Sequence, residues 1–79
     1  MDKKTYKLIT TIWTFLKSRI NDMDNNNTDE WWESERKELD QIMAMGNNEP
    51  EYFRQFVESI CIAADLLLFN MHFERKENK

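Results

Sequence analysis

Gly46 and Pro50 are the only glycine and the only proline in this 79-residue chain, and both fall in the short stretch "GNNEP". A β-rich domain turns tightly throughout its length, and such turns draw heavily on Gly and Pro. A few long helices need almost none, so the expected class is all-α. The length allows a single helical domain over residues 1–79. A chain of this size buries only about 60–65% of its unfolded surface, so its core must be compact and rich in large side chains. Three Trp, five Phe and two Tyr meet that demand.

Helix 1 is expected from about Lys3 to Met23. Ile9, Ile12, Trp13, Leu16, Ile20 and Met23 recur at three- and four-residue spacing and make one apolar stripe. Leu8 and Phe15 form its shoulder, and Lys7, Thr11, Thr14 and Ser18 lie opposite. Helix 2, about residues 29–45, begins after Thr28, whose hydroxyl caps free N–H groups while Asp29, Glu30 and Glu33 suit the positive end of the helix dipole. Its expected core line is Trp32, Leu39 and Met43, flanked by Trp31 and Ile42. Gly46 is expected to take the left-handed conformation that commonly ends a helix. Pro50 then occupies the first position of helix 3, where its missing N–H does no harm.

Helix 3, about residues 50–75, places Phe53, Phe56, Val57, Ile60, Ala64, Leu67, Leu68 and Met71 on one face. With the first two helices this face completes a compact antiparallel three-helix bundle with a long C-terminal helix. A second apolar line, Ile62, Leu66, Phe69 and Phe73, lies close to the opposite side. Further toward the N-terminus, that rear face is polar, with Glu51, Gln55 and Glu58. A three-helix monomer covers one side of a helix, so this second line, about 16 Å long at 1.5 Å per residue, stays exposed unless something covers it.

Charge and cysteine usage exclude several classes. Residues 1–19 carry five basic side chains against Asp2, and residues 22–40 carry eight acids against Arg36 and Lys37. The net charge of −4 leaves no dominant basic face, so direct nucleic-acid binding is not expected. The single Cys61 rules out an internal disulfide and a cysteine-based zinc framework. The segment "ICIAADLLLF" contains Asp65 and falls short of the roughly 20 residues of a spanning helix, and no signal-peptide pattern follows Met1. The expectation is a cytoplasmic protein without membrane contact.

Four candidate sites stand out. In "NDMDNNNTDEWWE", Asp22, Asp24, Asn26, Thr28, Glu30 and Glu33 match the alternating ligand positions of an EF-hand calcium loop. Asn27 replaces the glycine of the sharp turn, Asp29 replaces an aliphatic residue, and no second loop is present. A solvated turn and helix cap explain the same acids, so no metal and no cofactor is expected. Cys61 and His72 invite a nucleophile–base pairing, but eleven residues along one helix separate them by about 16 Å. Without a phosphate loop, paired His ligands or a serine motif, no enzyme is expected. Trp31 and Trp32 point about 100° apart, so Trp32 goes to the core, and Trp31 to either a helix-1 groove or a partner surface. The acidic face with Glu30, Glu33 and Lys37 suits a basic cleft, or is simply solvated.

"TYKLITTIWTFLK", "TDEWWESERKEL" and "FRQFVESICIAADLLLF" together resemble the small helical proteins encoded by phages and integrative elements of Firmicutes. Some proteins of such elements are anti-CRISPR or related anti-defence inhibitors, which bind a host effector. The resemblance implies that setting, with a host protein such as a CRISPR nuclease as partner, and carries no catalytic residues with it. The expected function is a non-enzymatic, inhibitor-type binding module contacting its partner through Glu30, Trp31, Glu33, Ile62, Leu66, Phe69 and Phe73. The alternatives are a structural or adaptor homodimer paired through helix 3, and an EF-hand-like calcium module.

Overall fold

Each helix begins where a polar group meets its free N–H groups. In the computed structural model, which describes residues 2–24 and 28–77, the Asp2 carboxylate accepts from the Thr5 N–H at 2.8 Å and opens α1, Lys3–Met23. Thr28 Oγ1 accepts from the Trp31 N–H at 3.2 Å and opens α2, Asp29–Met43, as its position before an acidic turn suggested. α2 passes into a short 3-10 turn, Ala44–Gly46. The carbonyl of Pro50 accepts from the N–H groups of Phe53 and Arg54, both at 3.0 Å, so the proline stands just outside α3, Glu51–Glu77.

The connection between α2 and α3 departs from expectation in one respect. Gly46 does not adopt a positive φ; Asn48 does, at 64°. Nor does the space around Gly46 demand a glycine. A Cβ placed on it would stand 3.4 Å from Arg54 Cα and 3.5 Å from the Val57 side chain, ordinary contact distances where the turn lies against α3.

Successive helices reverse direction, which leaves α1 and α3 parallel, and ion pairs mark this at both ends. Lys4 on α1 pairs with Glu49 beside the start of α3, and Asp24 after α1 pairs with Arg75 near the end of α3 at 3.0 Å. Partly exposed pairs of this kind contribute little each. The core carries the stability: Leu8, Ile12, Phe15 and Met23 from α1; Trp31, Leu39 and Ile42 from α2; Phe53, Val57, Cys61, Ala64 and Leu68 from α3. Fully burying a Leu, Met or Val contributes about 1.5–3 kcal/mol relative to leaving it exposed.

The buried faces are rotated from those read in the sequence. On α1, Leu8 and Phe15 lead the core, while Trp13 is 61% exposed and Ile9 also reaches solvent. The centre of the buried face therefore lies roughly 70° round the helix from the expected stripe, taking 100° per residue. The Thr10 and Thr11 hydroxyls donate back to the carbonyls of Tyr6 and Lys7 at 2.8 and 2.7 Å. Self-satisfied in this way, Thr11 sits half-buried on the α2 side without an orphaned hydroxyl. Trp13 lies outside under the Lys17 ammonium, 4.9 Å from its ring centre. On α3, Phe56 and Leu67 are likewise exposed, and Cys61 takes a core place.

α3 also corrects the reading of its length. Glu51–Arg75, with mean hydropathy 1.5 over its most apolar window, is long and apolar enough to cross a membrane by length and composition. Between Phe56 and Phe73 it carries only Glu58 and Asp65 as acids and no Lys or Arg. That composition reflects two apolar faces on one helix, one packed in the core and the second line outside it.

Candidate partner-binding groove between α2 and α3

The second line is where helical spacing placed it. Ile62, Leu66, Phe69 and Phe73 are 57%, 53%, 47% and 51% exposed, large apolar side chains half open to solvent along one side of α3. They form the outer wall of a groove whose other wall comes from α2, where Asp29, Trp32, Arg36, Asp40 and Met43 recur at three- and four-residue spacing. Two hollows, about 470 and 340 Å³, follow one another along it. Arg36 and Asp65 line both, so the hollows are one groove with this pair at its middle. Among the described residues no ion pair joins Arg36 to Asp65.

One end of the groove is aromatic. Trp32 meets Phe69 edge-on at 6.3 Å and His72 at 5.5 Å, and Phe69 leans on Phe73 at 5.1 Å. Trp32 is therefore half-buried, packed on the core and also presented to the groove. Its neighbour behaves differently. Trp31 enters the groove on helix 1: its indole N–H donates to Asp22 Oδ2 at 3.1 Å, and the Arg19 guanidinium lies 5.2 Å over its ring. Arg19 is itself held by two bonds to Glu38, at 2.9 and 3.1 Å. At 7% exposure Trp31 has no surface to offer a partner, and the partner-binding role expected for it is corrected to a structural one.

The other expected site residues stay apart. Glu30 and Glu33 are exposed on the outer side of α2, where Glu33 also lines the aromatic end of the groove and lies 3.8 Å from Lys37. Among the described residues no group of three or more acids, histidines or cysteines is placed to hold a metal. Asp22 and Asp24 engage Trp31 and Arg75, Thr28 caps α2, and Asn26 lies outside the described residues. Cys61 is 1% exposed, and burial, helped by the negative charge of Asp40, pushes its thiol pKa up, which disfavours the nucleophilic thiolate.

The sequence reading missed the most unusual group in the molecule. Glu35 is 0% exposed, at the centre of the bundle on the line Trp31, Glu35, Leu39, Ile42, and among the described residues no N–H or hydroxyl donor reaches either of its carboxyl oxygens. Burial pushes its pKa up from 4.5 to about 8. The carboxyl of Asp65 on α3 adds to the rise, accepting a hydrogen bond from the protonated acid and repelling its carboxylate. Arg19 and Arg36 oppose the shift and are outweighed. At neutral pH the core thus holds a neutral carboxylic acid directly behind the middle of the groove. No protein-family model matches this chain, and neither does any of the curated proteins or the solved structures.

Proposed function

We propose that this protein acts by binding another protein through the α2–α3 groove, without chemistry of its own. The observation that carries the reading is the half-exposed line Ile62, Leu66, Phe69 and Phe73, continuous with an aromatic end and bordered by the acids of α2. A contiguous apolar groove with a polar rim is the usual form of a protein contact. In the phage or mobile-element setting implied by the resemblance, the partner is a host defence effector in the host cytoplasm, most concretely a CRISPR nuclease. The exposed Glu30 and Glu33 then face a basic cleft and steer the approach. The test is nuclease inhibition by the wild type, by Leu66→Glu/Phe69→Glu and by Glu30→Lys/Glu33→Lys. Inhibition should be abolished by the first pair and weakened by the second, more so at low salt. Equal inhibition by all three proteins overturns the reading.

A second reading keeps the same surface and changes the occupant. The apolar line runs along one long helix and becomes self-complementary if two copies cross antiparallel near Leu66 and Phe69, which suits a two-fold homodimer. Burying four large apolar side chains from each copy contributes on the order of 10 kcal/mol before association entropy is subtracted, enough for micromolar pairing. Sedimentation equilibrium decides it: a dimer that Leu66→Glu/Phe69→Glu converts to monomer supports the homodimer, and a wild-type monomer at high concentration refutes it.

A further inference from the structure

Resting on the reading of the groove as a protein-binding surface, we infer that its partner is an apolar helical segment presenting one arginine or lysine, whose cationic head docks at Asp65 and draws on Glu35 behind it. The location is set by the walls. Apolar side chains occupy the ends of the groove, Ile62 and Leu66 at one and Phe69 and Phe73 at the other, while the middle is polar. Asp65 and Arg36 face each other there, and over its whole length the groove adds Asp29 and Glu33 in the aromatic hollow and Asp40 in the other, four acids against Arg36, so its charge complement is a cation. Behind Asp65 stands Glu35, fully buried, its oxygens reached by no N–H or hydroxyl donor among the described residues and its acid proton turned to Asp65. A guanidinium engages two carboxylates at once through its planar fork, which a neutral side chain cannot imitate. A second copy laying its α3 in the groove brings no such group, because α3 has no Lys or Arg between Arg54 and Arg75.

Docking of the cation is linked to a proton. The charges facing Glu35 are Arg19 from α1, Arg36 on α2 and Asp65 from α3, and together with burial they leave its acid protonated at neutral pH. A cation at Asp65 favours the carboxylate, so binding expels the Glu35 proton to solvent. Affinity then rises as the pH approaches 8, by up to about tenfold per pH unit, and levels off above it.

The probe is a short amphipathic helical peptide with leucine along one face and a single arginine at its centre, compared with its glutamine twin. Titration calorimetry of the full chain in buffers of different ionisation enthalpy reads affinity and proton release together. The arginine peptide should bind about tenfold or more tightly than the twin, as expected of a charge-assisted hydrogen bond, and release a proton. Asp65→Asn should erase the arginine preference. Glu35→Gln, which keeps the shape of the neutral acid, should erase proton release while retaining the fold. Equal binding of both peptides without proton release overturns this inference and leaves the groove reading intact. Binding of neither peptide overturns the groove reading as well.

Discussion

Replacing Glu35 by glutamine should stabilise this protein at neutral pH, and the size of the effect follows from its burial. Its carboxyl holds a proton up to about pH 8 in the fold and releases it near 4.5 when the chain is unfolded. Between those values the unfolded state binds fewer protons than the native state, so stability falls as pH rises, by about 1.4 kcal/mol per pH unit. It is fully retained below about 4.5, and about 5 kcal/mol has been lost by about 8, with no further loss above. That loss is comparable to the entire stability of a small domain, about 5–15 kcal/mol. Glutamine matches the shape of the neutral acid and does not titrate. Glu35→Gln should therefore equal the wild type near pH 4.5 and exceed it by about 3 kcal/mol at pH 7.

Urea unfolding followed by tryptophan fluorescence, with Trp31 buried beside the site and Trp32 packed on the core, measures the difference directly. Both proteins are titrated from below pH 5 to above pH 8, and the ionisable groups remote from the Glu35–Asp65 pair cancel in the comparison. The midpoint of the wild type should fall relative to the variant across this range, with unchanged m-values. Parallel stability curves would refute the argument, because they would mean that Glu35 meets water or a firm partner in the folded protein.

Removing the α2 cap with Thr28→Ala should cost about 1 kcal/mol, read as a fall in Tm of several degrees, because the Trp31 N–H loses its acceptor. Leu8→Ala should cost about 2–5 kcal/mol and Trp13→Ala less than about 0.5 kcal/mol; the reverse ranking by urea unfolding would restore the unrotated stripe of α1. Gly46→Ala should change stability by less than about 1 kcal/mol, since its Cβ would meet ordinary contacts at 3.4–3.5 Å without a left-handed backbone. Asn48→Ala should cost about 1 kcal/mol because that position has φ 64°, and a larger loss at Gly46 than at Asn48 in the same unfolding assay would contradict the turn described above.

The helix limits were legible because their signals are local. Thr28 ahead of acids, Pro50 after a polar turn and the continuous periodicity of residues 3–23 each act within one or two turns of chain, and the helices begin and end within two residues of those marks. The exposed line on α3 was legible for a similar reason, since two apolar lines on opposite sides of one helix cannot both face one bundle. Which line of α1 turns inward was not legible. A helix packed against two neighbours buries a wide sector, and periodicity alone ranks Ile9 and Trp13 with Leu8 and Phe15. Tertiary details broke the tie: threonine hydroxyls that satisfy themselves along α1, and an arginine on α1 that brackets Trp31.

The same ambiguity hid Glu35. With Trp32 taken as the core residue of α2, Glu35 falls off the core line and reads as one more acid on a solvated face. With Trp31 taken instead, Trp31, Glu35, Leu39 and Ile42 follow at helical spacing, and an acid stands on a buried line. An acid on such a line meets Asp65 across the α2–α3 interface, and the pair then combines two properties. It weakens the fold as pH rises, and it sets a buried acid directly behind the middle of the groove that carries the exposed apolar line. A leucine at position 35 would remove both properties at once and would fill the core better, since well-packed apolar residues often match or outperform buried charged groups. The experimental separation of core from groove therefore lies in Glu35→Leu. A gain in stability with unchanged partner affinity would make the acid a packing accident, whereas a gain in stability with lost arginine preference ties the instability of the core to recognition.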